Sequence, residues 1–220
     1  MDGRTPISTI IMVLAGLVTT PGANVDRETC FKQTGDVAIA ACTRLIASQE
    51  FSGDSLAAVY YNRGTTWYDK GDYDRAIEDY DQAIKLKPTF AQAVFNRGNA
   101  YDSKGQYDRA IKEYDRALTL DPSYAKALNN RGYVWDEKRE YDRAIQDYDR
   151  AIDLNPRYAQ AFNNRGIAYW KKGEYERAVR DYDRAIELDP RYAQAFYNRG
   201  IAKLTRVRLV LAMQILPPQG

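Results

Sequence analysis

Most of the chain carries apolar residues at the spacing of an amphipathic helix. Within residues 57–90, this pattern predicts one helix over Ala57–Lys70 and a second over Tyr73–Lys85. Gly71 lies between the two and can end the first helix in the left-handed conformation, and Pro88 ends the second. The pattern therefore predicts an all-α protein built from pairs of helices joined by a tight turn.

The helical pair recurs at a fixed interval of 34 residues. The tripeptide Asn-Arg-Gly marks it five times, at residues 62–64, 96–98, 130–132, 164–166 and 198–200. One pair of helices cannot cover its own apolar stripe, so we expect the copies to stack into a solenoid. Four complete units are predicted at residues 57–90, 91–124, 125–158 and 159–192, followed by a partial fifth unit with an apolar helix at 193–220.

Each unit places a glycine inside its first helix and two alanines in its second helix. The glycines are Gly64, Gly98, Gly132 and Gly166. Side chains this small let two helix backbones approach closely, and large rings such as Trp67 and Tyr80 fill the gaps between them. We expect a larger residue at Gly98 to overpack this contact at a cost of about 1–3 kcal/mol.

These positions resemble the tetratricopeptide repeat family. The family's signature of Gly, aromatic, Ala, aromatic, Ala and Pro falls on Gly64, Trp67, Ala76, Tyr80, Ala83 and Pro88, and again on the next three units. The resemblance implies antiparallel helix pairs wound into a right-handed superhelix, with a concave groove lined by the first helix of each pair. One departure is the Arg of Asn-Arg-Gly, where the commonest family pattern has Leu.

The repeated Arg adjoins the packed glycine, as Arg97 does in the second unit. Each complete unit also carries an Asp directly after the tyrosine of its second helix, as Asp115 does in that unit. We expect a partly buried Arg–Asp pair that ties the two helices of a unit together. The alternative is an Arg side chain that follows an apolar surface and places its charged end in water.

The sixth position of every unit is Asn, and the family resemblance implies that it faces the groove. The five residues are Asn62, Asn96, Asn130, Asn164 and Asn198. Asn is a mediocre residue inside a helix, and its amide offers both a donor and an acceptor to a peptide backbone. The row resembles the asparagine ladder that binds extended peptides in the superhelix of O-GlcNAc transferases, whose catalytic domain is not present in this sequence. Two alternatives stay open: each Asn bonds to an adjacent repeat, or the residue was copied by duplication alone.

Aromatic residues occur at the other groove positions that the resemblance implies. Candidates for binding are Tyr61, Tyr68, Phe95, Tyr133 and Trp170. Rings beside amides suit an extended peptide, which is held by apolar anchors and backbone hydrogen bonds. Asp69, Asp102, Asp136 and Glu137 make the middle of the groove mildly acidic. This favours a partner with Lys or Arg, unless these carboxylates form an ordinary solvated face.

The chaperone-binding members of this family hold a terminal carboxylate with Lys, Asn and Arg. Only Lys126 and the Asn row fit that scheme, because Tyr61 and Thr65 stand in the first unit where Lys and Asn are needed. We therefore do not expect a carboxylate clamp.

Residues 1–23 predict a secretory signal peptide. Arg4 precedes an apolar stretch from Ile7 to Val18, which is too short to span a bilayer and is followed by small residues. The alternative is a helix buried against the first repeat. Export would place the protein in a bacterial periplasm or outside the cell, and without a signal it would be cytoplasmic.

Residues 24–56 predict a degenerate N-terminal helical cap. This segment contains both cysteines of the chain, Cys30 and Cys42, which we expect to form a disulfide if the protein is exported. The alternative is a pair of buried free thiols.

The stretch from Val207 to Leu216 is almost entirely apolar and is interrupted only by Arg208 and Gln214. Three interpretations are open: a final helix that packs on the fourth unit, a contact with a second copy or another partner, and an altered reading frame or truncation.

The composition argues against catalysis. Histidine is absent, which removes the commonest general base and metal ligand, and two cysteines cannot build a thiolate zinc site. We expect no enzyme activity, no metal and no cofactor. With 32 Lys and Arg against 30 Asp and Glu, no overall field favours nucleic acid. The expected function is that of a scaffold that binds a protein segment or extended peptide in its groove, and the alternative is oligomerisation or assembly through the apolar C-terminal end.

Overall fold

The computed structural model of the protein describes residues 21–215, which form eleven helices and no strand. The prediction of an all-α chain is confirmed. Residues 1–20, which hold most of the predicted signal peptide, lie outside the described residues, as do residues 216–220. The helices are α1 (Pro21–Lys32), α2 (Gly35–Ser48), α3 (Gly53–Asp69), α4 (Tyr73–Leu86), α5 (Ala91–Ser103), α6 (Tyr107–Leu120), α7 (Ala125–Glu137), α8 (Tyr141–Leu154), α9 (Ala159–Lys171), α10 (Tyr175–Leu188) and α11 (Ala193–Ile215).

The helices pack as consecutive pairs, and each pair packs on the next. The first helices of neighbouring units also touch one another, as α5 touches both α3 and α7. The second helices α4, α6, α8 and α10 make no contact with one another within the described chain. Helices on the inner side of a curved stack lie closer together than those on its outer side, so the first helices line the concave face. The predicted solenoid of helix pairs is confirmed.

The turn inside each unit depends on one residue in the left-handed region. Gly71, Gly105 and Gly173 have φ values of 79°, 68° and 81°. The third unit has Arg139 at this position with φ 63°, so it builds the same turn without glycine. Because this conformation costs a residue with a side chain about 1 kcal/mol or more, the third turn is the strained one.

The core of each unit is a tyrosine of the second helix packed on the glycine of the first helix. The tyrosines are at most 2% exposed: Tyr80, Tyr114, Tyr148 and Tyr182. A Cβ added to Gly166 would lie 2.7 Å from Cε1 of Tyr182, and one added to Gly98 would lie 2.8 Å from Cε1 of Tyr114. These distances are too short for a Cβ contact, so the two helices approach as closely as glycine allows.

A further helical pair, α1 and α2, precedes the first full unit and packs on α3. A disulfide between Cys30 and Cys42 joins the two helices. Both cysteines are buried in a small cluster with Leu45 of α2 and Val59 of α3. The disulfide therefore holds α1 and α2 together, and the cluster around it packs this pair on α3.

The helix α3 begins earlier than the sequence predicts, at Gly53 rather than Ala57. The backbone N–H of Ser52 donates to Oγ of Ser55 at 3.3 Å, which satisfies a donor at the start of the helix. The Ser-Gly-rich connection therefore contributes a turn of helix, and the linker between α2 and α3 shortens to residues 49–52.

The last helix, α11, begins as the first helix of the fifth unit and runs for 23 residues. Ala195 and Ala202 are fully buried against the fourth unit, whereas Tyr197, Leu204 and Leu211 are exposed. Between residues 21 and 215 no helix combines the length and the apolar character needed to cross a lipid bilayer.

Candidate functional site

The family pattern assigns the fifth, sixth, ninth and twelfth positions of each unit to the concave side of the stack, and we call these positions the groove face. On α3 these are Tyr61, Asn62, Thr65 and Tyr68, and the same four positions recur on α5, α7, α9 and α11. The fifth position is buried on α5, α7 and α9. The rings on this face become more accessible toward the carboxyl end. Tyr61 and Tyr68 are half-buried, whereas Tyr133 is 43% exposed and Trp170 is 36% exposed.

One predicted groove residue belongs to the core instead. Phe95 is only 7% exposed, and its ring centre lies 4.8 Å from that of Tyr124 and 5.8 Å from that of Tyr114. Its prediction as a peptide-binding residue was wrong, because two rings of its own unit, Tyr114 on α6 and Tyr124 directly before α7, cover the fifth position of α5. Family position alone does not reveal this burial, which depends on how these rings pack.

The asparagine row joins each unit to the one before it. All five residues are half-buried. From the second unit onward, each Nδ2 donates to a side chain of the preceding first helix, at 2.9–3.1 Å. The four pairs are Asn96 with Tyr61 Oη, Asn130 with Asn99 Oδ1, Asn164 with Asn129 Oδ1, and Asn198 with Asn163 Oδ1. Asn62 differs and donates to the carbonyl of Ala58 in its own helix, at 2.7 Å.

Two of the residues that accept hydrogen bonds from this row have a structural role that the sequence did not predict. Asn129 and Asn163 are almost fully buried, at 1% and 2% exposure. Their sequence signal is the Asn-Asn dipeptide that each forms with the next residue of the row. An amide has two N–H groups and two oxygen lone pairs, so one bond to a neighbour leaves further capacity on each asparagine of the row. The structure therefore shows bonding to an adjacent repeat and leaves peptide binding as a prediction.

The middle of the groove face carries carboxylates whose oxygen atoms have few hydrogen-bond or ion-pair partners within the described residues. Asp102 is half-buried and accepts no side-chain hydrogen bond within residues 21–215, and burial, with the nearby charge of Glu137, raises its pKa to about 6. Asp136 is buried and its Oδ2 accepts from Nζ of Lys171, while its Oδ1 has no hydrogen-bond partner among the described residues. Burial raises the pKa of Asp136 as well, although Lys171 opposes that shift. This part of the groove can therefore stabilise an incoming positive charge.

An open pocket of about 300 Å³ lies at the carboxyl end of the groove face. Ile167, Trp170, Tyr197 and Ile201 form its apolar walls, and Asn198 of the row is at its edge. The pocket lies between α9 and α11, so it exists only because the fifth first helix stacks on the fourth unit. It offers one apolar side chain a site beside an amide.

The arginine pairing was predicted in the wrong register. Arg97 does not contact Asp115; its Nη2 donates to Glu113 at 2.6 Å and its Nη1 to Asp81 at 2.5 Å. Asp115 accepts from Arg131 of the next unit, at 2.5 Å. The Asp that follows the tyrosine points toward the next unit, while the acid that precedes the tyrosine faces the arginine of its own unit.

The arginines are structural residues that join units, and the alternative of a solvated arginine is also wrong. Arg131 shows the arrangement fully, with Nε and Nη2 on Asp147 and Nη1 on Asp115. Its side chain is 17% exposed, so the guanidinium group is largely buried. Within the part of the chain that the structure describes, no group of three or more potential ligands is placed to hold a metal ion.

Family models described as tetratricopeptide repeat match residues 35–89, 61–125, 95–159 and 159–192. These matches run from α2 to α10. The chain belongs to the tetratricopeptide repeat (TPR) family. A comparison with curated proteins finds no match for this TPR protein.

Solved structures that resemble this TPR protein include two described as peptide-binding or peptide-bound. The crystal structure of MamA is 29% identical, with a TM-score of 0.64 over 72% of this chain and 91% of MamA. YrrB, described as a TPR protein with an unusual peptide-binding site, is 26% identical, with a TM-score of 0.61 over 77% of this chain and 85% of YrrB. The first TPR of Spaghetti (RPAP3), bound to the HSP90 peptide SRMEEVD, is 28% identical, with a TM-score of 0.52 over 53% of this chain and 93% of that chain.

Proposed function

We propose that this TPR protein is an interaction scaffold that binds an extended peptide or protein segment on its groove face. The observation that carries the proposal is the apolar pocket beside Asn198, where the exposed ring of Trp170 is held next to an amide with unused bonding capacity. Exposed rings beside amides suit the binding of an extended peptide, because the rings contact its apolar side chains and the amides bond to its backbone. The peptide-binding descriptions of YrrB and of the Spaghetti TPR support the same class of ligand.

The chemistry of the groove favours a particular kind of peptide. An apolar side chain enters the pocket between α9 and α11, and the peptide backbone follows the row of amides toward α5. A Lys or Arg of the peptide then lies near Asp102, whose carboxylate has no side-chain partner within the described chain. A terminal carboxylate is disfavoured, because Tyr61 and Thr65 stand where a carboxylate clamp needs Lys and Asn.

The test begins with a peptide selected from a random library on the full chain. Trp170→Ala should weaken its binding about tenfold or more, because it removes the largest wall of the pocket. The matched control is Leu154→Ala on α8, which is 45% exposed but lies on a second helix. Equal binding by both variants and the unchanged chain would move the binding surface away from the groove.

The amide row needs a separate comparison because its bonds also join units. The triple variant Asn96/Asn130/Asn164→Ala should weaken peptide binding. The double variant Asn129/Asn163→Ala removes inter-unit acceptors but leaves the row itself in place. Thermal unfolding of both variants is measured as well. If the double variant loses as much peptide binding as the triple variant, the row has only a structural role.

The exposed apolar residues of α11 support a second candidate, oligomerisation or assembly through the C-terminal end. Leu204, Val207 and Leu211 are all at least half exposed. Light scattering of the full chain and of a chain lacking residues 205–220 separates the two candidates. If both samples are monomeric, self-assembly through the C-terminal end is excluded.

Export to the periplasm or beyond is part of the same proposal. The buried Cys30–Cys42 disulfide supports it, because such bonds persist in oxidising compartments. Mass spectrometry of the protein released by its host would show a new amino terminus and the two-hydrogen mass deficit of the disulfide. An intact amino terminus on reduced, intracellular protein would contradict export.

A further inference from the structure

The helix α11 repeats the first helix of a unit, and no helix within residues 21–215 covers the face that a second helix covers in the complete units. In each complete unit, the glycine of Asn-Arg-Gly packs on a second-helix tyrosine. A Cβ added to the four earlier glycines would meet that ring at 2.7–3.0 Å, whereas a Cβ added to Gly200 would meet nothing within 4 Å. We call the surface formed by Phe196, Arg199, Gly200 and Lys203 the open seat.

The position four residues before the glycine shows the same difference. Val94, Leu128 and Phe162 are at most 9% exposed, and Phe162 packs on Ala185 of its own second helix. Phe196, the counterpart on α11, is 43% exposed. No described residue takes the place that Ala185 takes in the fourth unit.

The arginine of the open seat is only half paired. Arg165 places Nη1 on Asp149 of the preceding unit and both Nε and Nη2 on Asp181 of its own second helix. Arg199 makes the first of these contacts, from Nη1 to Asp183 at 2.7 Å. Its remaining donors have no acceptor within residues 21–215. The missing acceptor is a carboxylate directly before the ring that would cover Gly200, as Asp181 is directly before Tyr182.

The charges of α11 define what can fill the seat. The helix carries Arg199, Lys203, Arg206 and Arg208 and no Asp or Glu. A second α11 in the open seat would bring like charges together, so a second copy of this helix is disfavoured as the occupant of the seat. An acidic helix is favoured by the same charges.

Lys203 also affects which helix can bind in the open seat. Its counterparts in the complete units are Trp or Tyr, on which an arginine of the second helix stacks. Arg177, for example, lies 4.0 Å from the ring centre of Tyr169. With Lys203 in place of the ring, an arginine on the incoming helix would be repelled and a carboxylate would be attracted.

We propose that the open seat docks an acidic amphipathic helix of a partner protein, which packs as the second helix of the fifth unit. Its pattern follows α10, where Ala178 and Ala185 lie on either side of the Asp181-Tyr182 pair. It presents a carboxylate to Arg199, a ring to Gly200 and a second carboxylate to Lys203. The seat lies on a different face of α11 from the groove residues Tyr197 and Ile201, so its partner is distinct from the groove peptide.

The test uses two synthetic peptides with the sequence of residues 173–190, one unchanged and one with Arg177→Glu. Each is labelled and titrated with the full chain, and fluorescence anisotropy reports binding. The Arg177→Glu peptide should bind, and the unchanged peptide should bind about tenfold more weakly. A further change of Asp181→Asn in the Arg177→Glu peptide should weaken binding by a similar factor, because it removes the partner of Arg199.

Variants of the chain locate the binding surface. Gly200→Leu fills the space reserved for the ring and should abolish binding, and we expect the fold to tolerate it because a Cβ added to Gly200 has no neighbour within 4 Å outside its own helix backbone. Leu154→Ser on α8 is the control and should bind like the unchanged chain. Circular dichroism and thermal unfolding of both variants establish that they are folded.

Three results would overturn the proposal. The first is no binding of the Arg177→Glu peptide up to about 1 mM. The second is equal binding of that peptide by the Gly200→Leu variant and the unchanged chain. The third is dimerisation of the chain that Gly200→Leu abolishes, which would make a second copy the occupant of the seat.

Discussion

At the scale of residues, one contact sets the distance between the two helices of a unit. The repeated glycine faces the ring of the repeated tyrosine, and no methyl group fits between them. The tyrosine is itself almost fully buried, so its ring has no free space into which it can move. The close approach is therefore a property of the pair and not of the glycine alone.

Two glycine variants of the same helical position should change stability in opposite directions. Gly166→Ala should lower the free energy of unfolding by about 1–3 kcal/mol, because the methyl group overpacks against Tyr182. Gly200→Ala meets no atom and should raise it by up to about 1 kcal/mol through helix propensity. Urea denaturation of both variants measures this, and a shift in the same direction would contradict the account of the contact.

The aspartate in the groove holds its proton more tightly when the chain is folded. Burial and Glu137 raise the folded-state pKa of Asp102 from 3.8 to about 6. The folded state thus binds more protons than the unfolded state between these values. The contribution of Asp102 to stability therefore falls as the pH rises from about 4 to about 6.

Asp102→Asn should stabilise the protein at neutral pH by about 1–3 kcal/mol, since two pKa units correspond to nearly 3 kcal/mol. The gain should be present at pH 7.5 and largely lost at pH 4, where Asp102 is protonated in the folded state. Leu154→Ala on α8 is the control, because it removes no titratable group and its effect should be equal at both pH values. Urea titrations at the two pH values test this, and a gain that is equal at both would sink the explanation.

At the scale of helices, the arginines connect three elements at once. Arg131 on α7 reaches Asp147 on α8 and Asp115 on α6. The sequence shows an acidic residue on each side of the second-helix tyrosine, and either one could form an ion pair with an arginine. Which acid meets which arginine depends on how one unit is rotated on the next, and that rotation cannot be read from the repeat itself.

A pair of double-mutant cycles distinguishes the observed register from the expected one. Arg131→Leu and Asp147→Asn should be coupled by about 1–3 kcal/mol, because the pair is bidentate and largely buried. Arg97→Leu and Asp115→Asn should be additive within about 0.5 kcal/mol, because these residues do not share a bond. Chemical denaturation gives the four free energies of each cycle, and coupling in the second cycle alone would reverse the assignment.

At the scale of the whole molecule, each helical pair within residues 21–215 contacts only the neighbouring pairs. The contacts of α1 and α2 are with each other and with α3, and no contact joins them to α9 or α10. Stability in such a stack is close to a sum of unit and interface terms. A change at one end therefore should not spread along the chain.

Loss of the disulfide should open the amino-terminal pair locally. Replacing Cys30 and Cys42 by Ser is expected to lower the stability of α1 and α2 by about 2–4 kcal/mol, because the bond closes a short loop across a buried cluster. Hydrogen exchange followed by mass spectrometry should become faster in these two helices and stay unchanged in α7 to α10. Faster exchange throughout would show that the molecule unfolds as one cooperative unit.

The sequence by itself determined the helical pairs, their stacking and the face from which function is expected. A fixed period with a fixed apolar stripe allows few other arrangements, and the turn at Arg139 follows from its place in that period. The sequence also limited any disulfide within the chain to Cys30 and Cys42, and it left a pair of free thiols as the alternative.

Only the tertiary structure decided what the repeated polar residues bond to. It buried Phe95, turned the asparagine row toward the preceding unit, moved the partner of Asp115 to Arg131, and left Gly200 uncovered. Phe95 is buried by rings of its own unit, and Gly200 is uncovered because no second helix follows α11 within residues 21–215. For the asparagine row and for Asp115 the physical reason is different: their contacts depend on distances and rotations between units, and a residue that is identical in every repeat carries no information about which neighbour it meets.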